Sequence, residues 1–375
     1  MYVFWAVLGV LLIGIGLVDV FLTALNYDES GFIATRLCAF QWYCLRGTIR
    51  QLPQRWRQVV LCQVTGLNIA LNITIWLSLI IVGYALIYYG QMYGSNFQYD
   101  GSNMSAGLFS AMYFSAAQLA TVGTSQINPE TDMLRALSIL ETLTGVGLVT
   151  LILTFLLGVY QVVCSLRALS SNFVTATLDF DDPVASLGPY FSTGDLSCLD
   201  NHLRSIFESF WSYSDGLRQH HVAYYFQSGR PRFSLPYVVF MLGQWLAALR
   251  WGVPKGHPVS VQPLLAQLTF QFDQFAIYLQ GQVRWTFSET PEVVCFEIFS
   301  VAYREGDATS DKWLGRFLQI NQEMAQLAQL DLDDPLDAFQ RYEQWLPFAH
   351  RAEQMMRAVS RDLDYRPPNP EVVGV

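Results

Sequence analysis

The chain has 375 residues, 52% of them hydrophobic and only 14% charged, about half the charge of an ordinary soluble domain. With 25 Phe, 19 Tyr and 10 Trp it is neither disordered nor fibrous, and a net charge of −9 excludes a general nucleic-acid binder, which needs a basic face. Thirteen charged residues fall in the first 165 positions and forty in the remaining 210, a membrane region followed by an acidic domain.

Residues 1–25 form the first predicted transmembrane helix, with Asp19 as its only charge and more than the roughly 20 residues a bilayer requires. A secretory signal would begin with a basic residue and carry a shorter apolar core, and Met1-Tyr2-Val3-Phe4-Trp5 offers no positive charge. Residues 26–66 are expected as a linker holding Arg36, Arg46, Arg50, Arg55 and Arg57 against Asp28 and Glu29, which places it in the cytoplasm. Phe32, Leu37, Phe40, Trp42 and Tyr43 interleave with those arginines, so the linker is either an interfacial helix under lipid headgroups or a solvated connector.

The second span, 67–89, is uncharged, with Asn68 and Asn72 one turn apart and expected to hydrogen-bond across a helix interface. The Asn72-Ile73-Thr74 sequon lies inside this span and is not a glycosylation site. Residues 90–133 then face outward. The third span, 134–164, returns the chain to the cytoplasm; at about 46 Å of helix it exceeds the hydrocarbon core, so it tilts or projects. The cysteines at 38, 44, 62, 164, 198 and 295 avoid the outward segment and form no CxxC pair, which suggests neither a disulfide framework nor a zinc site.

Within 105–129 a 15-residue apolar stretch is too short to span and is predicted to be a re-entrant helix, followed directly by Thr121-Val122-Gly123. Non-helical backbone at that depth is tolerated only where it is buried in protein or lines a water-filled cavity. A helix, a short re-entrant helix, Thr-Val-Gly, Pro129, Arg135 and Gly145, 24 residues after Thr121, follow in order. This arrangement, over roughly 66–164, resembles the two-helix pore unit of the potassium-channel superfamily.

The resemblance implies an all-α membrane protein in which four subunits close a pore. Residues 67–164 would be the pore module and Thr121, Val122, Gly123, Thr124 and Ser125 its filter. The filter would hold K+ or Na+ on backbone carbonyls and the Thr121 hydroxyl, with no other metal or cofactor. Tyr113 and Phe114 would brace the filter from the pore helix, and Gly145 would be the hinge of the inner helix. The first helix, ending Asp19-Val20-Phe21-Leu22-Thr23, resembles that of bacterial three-helix relatives. A homotetramer in the lipid of a bacterial inner membrane follows, N-terminus outside.

Thr124 stands where the family has tyrosine, Ser125 where it has a second glycine, and Gln126 where it has aspartate. Serine adopts positive φ only at a cost, so two well-formed inner sites are expected beneath a wider, irregular outer vestibule, with weak selection of K+ over Na+. A non-conducting membrane receptor or scaffold that uses the pore fold to assemble is the competing reading.

Glu141, one turn before Gly145, is a filter-supporting or proton-sensing carboxylate, or a structural hydrogen-bond acceptor facing Gln118 or Ser115. Thr142, Thr150 and Thr154 either line the cavity or bond their own helix backbone. Gly145 and Gly147 each cost the helix about 1 kcal/mol relative to alanine, consistent with a gating bend or with close packing.

Residues 165–375 are expected to form a helical cytoplasmic domain with helices near 197–227, 235–250, 259–286, 291–305, 310–330 and 335–362. Trp313, Phe317, Ile320, Met324 and Leu327 make one buried stripe. The proline-rich last ten residues are expected to be a disordered tail. There is no GxGxxG, P-loop, HExxH or GxSxG, so no enzyme is indicated. His220 and His221 are adjacent and cannot share a helix face as metal ligands. The acidic runs ending at Pro183 and Pro335 lack the Gly and Glu of an EF-hand loop and read as helix starts. The domain's acidity either concentrates cations below a pore or serves solubility alone.

Overall fold

The computed structural model describes residues 2–25, 32–49, 53–93, 95–100, 105–173, 183–192, 196–228, 230–283, 285–306 and 311–365. The side chains of Arg50, Arg55 and Arg57, the residues Asp28 and Glu29, the acidic run 179–182 and the tail 366–375 lie outside the described residues. The chain divides into two compact units, Met1–Val163 with Asp215–Phe226, and Cys164–Ser214 with Gln227–Val375.

The first unit is built on helices α1 (Tyr2–Leu25), α2 (Phe32–Ile49), α3 (Gln54–Gln91), α4 (Leu108–Leu119) and α5 (Asp132–Ser171), the last continuing into the second unit. Among the described residues, Val3–Leu25, Val59–Gln91 and Asp132–Ser171 are long and apolar enough to cross a membrane, and the chain is a multi-pass membrane protein. The segment expected as a linker is itself mostly helical. α3 starts at Gln54, thirteen residues before the predicted span, because Pro53 sets up a helix start and no further proline interrupts the run.

α1 packs on α3 through small residues. A Cβ on Gly9 would sit 2.4 Å from the Gly83 carbonyl, and one on Gly83 2.7 Å from Ile13. Asp19 accepts the Trp76 indole N–H at 2.8 Å, and Trp5 meets Tyr89 edge-on at 5.7 Å. Numbers rising on one helix pair with numbers falling on the other, so α1 and α3 are antiparallel. The same holds for α3 and α5, where Trp76 meets Phe155 at 5.6 Å and Tyr84 meets Thr144 at 3.1 Å.

Asn72 donates to Cys38 Sγ at 3.0 Å and so ties α3 to α2 as expected, but Asn68 is fully buried with neither amide atom bonded among the described residues. Two three-residue strands, β1 (Phe97–Tyr99) and β2 (Ile127–Pro129), pair antiparallel with Gln98 opposite Asn128. They are too short to leave a sequence pattern.

The predicted helix 197–227 stops early. α7 (Ser197–Gln219) follows the short α6 (Gly188–Phe191) and ends before His220, whose φ of −122° and ψ of 73° leave the helical region. Residues His221–Tyr225 then form a buried 3₁₀ turn in the first unit, against α2 and α3, with Trp42 and Tyr225 rings 5.5 Å apart. Tertiary packing of these aromatics overrides helix propensity here. Burial pushes the His221 imidazole down to about 4, so it is neutral at physiological pH.

In the second unit, α8 (Leu235–Ala247) is buried except at Gln244 and is capped by Ser234 Oγ, which accepts the Tyr237 N–H at 3.4 Å. It runs into a π-helical turn, Ala248–Gly252. α9 (Pro263–Val283) and α10 (Phe296–Glu305) are shorter than predicted. Pro258–Val261 is a 3₁₀ turn, and 291–295 has no regular structure.

α11 (Lys312–Ala328) and α12 (Pro335–Asp362) satisfy the carbonyls at the end of the π-turn. Asn321 donates to Gly252 O at 2.8 Å, and Arg341 donates to Trp251 O at 2.6 Å and Val253 O at 3.0 Å. Arg341 also pairs with Asp333 at 2.7 Å, so the acidic run before Pro335 anchors a helix start and its neighbour. Phe317, Ile320 and Met324 form the buried centre of the predicted stripe, with Trp313 and Leu327 half-buried at its ends.

Candidate functional site

α4 has twelve residues, about 18 Å of helix, and cannot cross a bilayer. Its buried face is Ala111, Phe114, Ser115 and Leu119. Phe114 packs edge-on to Tyr88 at 4.9 Å and to Phe97 at 5.7 Å, while Tyr113 is 44% exposed. The resemblance implies both aromatics as braces of the filter; of the two, Phe114 is enclosed within the chain and Tyr113 is not.

Glu141 of α5 has no exposed surface. Ser115 of α4 donates to one carboxylate oxygen at 2.5 Å and Tyr88 of α3 to the other at 2.7 Å. One carboxylate therefore bonds donors from two other helices. Ser115 was a predicted partner. Tyr88 was not singled out, although Tyr84 and Tyr88 at the end of an aliphatic span are the signal for it. Gln118 instead lies 3.4 Å from the Thr142 hydroxyl, which also donates to Ser138 O at 2.9 Å. Thr150 and Thr154 bond their own helix backbone, at 3.1 and 3.0 Å.

Gly145 and Gly147 separate in kind. A Cβ on Gly145 would lie 2.1 Å from the Leu119 carbonyl, so the end of α4 rests directly on the α5 backbone there. Gly147 faces open space.

After Ala120 the backbone turns away from the helix. Thr121 has φ of 59° and Gly123 φ of 69°, with Val122 between them outside the left-handed region. A threonine at positive φ is strained and persists only where its surroundings hold it. Here the N–H groups of Val122 and Gly123 both donate to Ala117 O at 3.0 Å, and that of Thr121 donates to Gln118 O at 3.0 Å. Among the described residues, nothing donates to the carbonyls of Thr121, Val122 or Gly123. The Val122 side chain is 81% exposed.

Ser125 does not take the positive φ that a glycine in its place would favour. The chain instead turns on side chains. Thr124 Oγ1 accepts the Ile127 N–H at 3.2 Å, and Asn128 Nδ2 donates to Ser125 O at 3.2 Å. The turn leads into β2, and Arg135 secures its far end by donating to Pro129 O at 3.0 Å.

Residues 73–161 match the family model described as ion channel. The match runs from within α3 through α4 and the pore segment into the C-terminal half of α5. The chain thus carries a two-helix pore module of the potassium-channel type. No curated protein and no solved structure matches the chain.

Proposed function

We propose that four copies of this chain close around an axis to form a channel that conducts K+ with weak discrimination against Na+, through Thr121, Val122 and Gly123. The observation that carries this reading is the row of three carbonyls that receive no donor among the described residues. Their N–H groups are occupied by the end of α4, and the change in sign of φ between neighbours turns successive carbonyls toward one side. In a membrane an unmet carbonyl costs several kcal/mol. A ring of four such rows removes that cost by replacing the hydration shell of a cation, and the Thr121 hydroxyl adds an inner ligand. The negative ends of the four α4 dipoles favour a cation below.

Closed symmetry suits a segment that a single subunit leaves on its surface. Thr124 and Ser125, closed by side-chain bonds, form the wider outer part. Phe114, Glu141 and Gln118 support the filter within the subunit, and Tyr113 supports it at the neighbouring one.

Alternating directions of α1, α3 and α5 support a topology with the N-terminus and residues 90–133 on one membrane face. The arginines of 26–66 assign the other face to the cytoplasm, together with the second unit. Trp5, Tyr89 and Tyr93, with neighbouring rings 5.7 and 5.4 Å apart, fit an aromatic belt at the outer interface. The setting is a bacterial inner membrane, the role transport rather than catalysis, with no cofactor beyond the permeant ion.

The test is reversal potential in reconstituted bilayers with K+ and Na+ on opposite sides. A low native permeability ratio is expected, rising severalfold in Thr124→Tyr with Ser125→Gly. An unchanged reversal potential in that variant overturns the account of the filter. Intact tetramers that pass no current under any condition favour the scaffold reading instead.

A further inference from the structure

The chain leaves the first unit at residue 163, returns to it for Asp215–Phe226 and leaves again. The returning segment is fitted to the C-terminal half of α5. A Cβ on Gly158 would lie 2.1 Å from His220 Nε2 and within 2.9 Å of two ring carbons, so the Nε2 end of the imidazole rests on the bare backbone of that glycine. The same ring meets Phe155 at 5.8 Å. One turn along α5, a Cβ on Gly216 would lie 2.7 Å from Val162, so each partner contributes a glycine to the contact.

Beyond His220, the turn His221–Tyr225 packs on α2 and α3. Among the described residues His220 Nδ1 is buried without a hydrogen-bond partner, so shape rather than a bond at that nitrogen holds the ring. α7 is one unbroken helix whose residues 197–214 count with the second unit and 215–219 with the first. It is a stiff arm ending in this contact.

We propose that residues 215–226 are a strap that ties the C-terminal half of α5 to α2 and α3 and thereby holds the pore open, with α7 as the lever through which the second unit sets or releases it. The effect on the pore rests on the channel reading above. Leu143, Val146, Leu153 and Leu157, exposed on the side of α5 away from its buried stripe, face the axis of the proposed tetramer. Holding α5 against its own α2 and α3 keeps that face back, and releasing it lets the four helices converge.

The test uses full-length protein in lipid vesicles, with hydrogen exchange and K+ efflux measured on the same samples. Gly158→Val expels the ring. It is expected to speed exchange in 221–226 at least tenfold, to raise exchange in 155–163, and to cut efflux at least fivefold. His220→Ala empties the seat without a clash and produces a smaller change of the same sign. In the double variant, efflux and exchange return to the His220→Ala level, because valine then fills the vacated space. Faster exchange in 221–226 with α5 exchange and efflux unchanged overturns the strap, as does an increase in efflux or strict additivity of the two substitutions. If the native protein passes no K+ yet exchange in 155–163 still follows the seat, the tie is supported and the conduction reading falls.

Discussion

A carboxylate with no exposed surface inside a membrane helix has to be held by donors, and Glu141 takes one from α4 and one from α3. Glu141→Ala leaves the Tyr88 hydroxyl buried without its acceptor, at about 1–3 kcal/mol, while Ser115 keeps its bond to Ile81 O at 3.0 Å. A clear fall in thermal midpoint in detergent is expected, with Glu141→Gln falling less because its amide oxygen still accepts. A cycle with Tyr88→Phe should give a non-zero coupling; a native-like melt of Glu141→Ala contradicts the brace. Glu141 was legible in the sequence because an ionisable group inside an apolar span demands a partner, and Ser115 was one of two candidates on the re-entrant helix, with Gln118 the other. Tyr88 lies 53 residues away from Glu141, and which turn of α3 meets α5 is decided by packing along the whole helix pair.

At the scale of elements, α5 distinguishes two uses of glycine. Gly145→Ala drives a methyl into the Leu119 backbone carbonyl, which cannot swing aside as a side chain can. It should lower both the thermal midpoint and K+ efflux. Gly147→Ala meets open space and should leave efflux intact while gaining up to about 1 kcal/mol of helix propensity. Loss of efflux in a stable Gly147→Ala protein would instead mark a functional bend at that position. The three spans and the re-entrant helix were legible because apolar length alone defines them. The early start of α3 and the end of α7 at Gln219 were not. The first depends on a helix continuing through a polar, arginine-bearing stretch, the second on aromatic side chains finding α2 and α3.

For the whole molecule, the change in charge density near residue 165 matches the point where the chain first leaves the pore unit, yet composition carries no trace of its return at 215. The second unit holds its own charged centre at Glu353. Burial alone would raise this carboxyl's pKa; Arg316 at 2.8 Å, Lys312 at 3.1 Å and Arg357 together outweigh burial and hold it below the usual carboxylate range. His350, one turn away, has its proton affinity lowered by burial. A depressed folded pKa means that the stabilisation is present above the unfolded value, near 4.5, and disappears as pH falls through the folded one. Tryptophan-fluorescence unfolding of the full chain should therefore weaken on acidification below about pH 4.5. Glu353→Gln should flatten that dependence and cost about 3 kcal/mol at neutral pH, since Arg316 is left buried without its counter-charge. An acid limb unchanged by the substitution would remove Glu353 from the account.

The return of residues 215–226 also sets an order of events during synthesis. Once Val163 has emerged, 63 further residues must be made before Phe226 can reach α2 and α3. At ribosomal speeds of roughly 5–20 residues per second, that is about 3 to 13 s. For that interval the three spans are inserted with the groove around Gly158 vacant, so the pore unit matures only after translation has moved well into the next one. A gene shortened after codon 163 would keep the first two described spans and most of the third, yet still encode an unfinished pore.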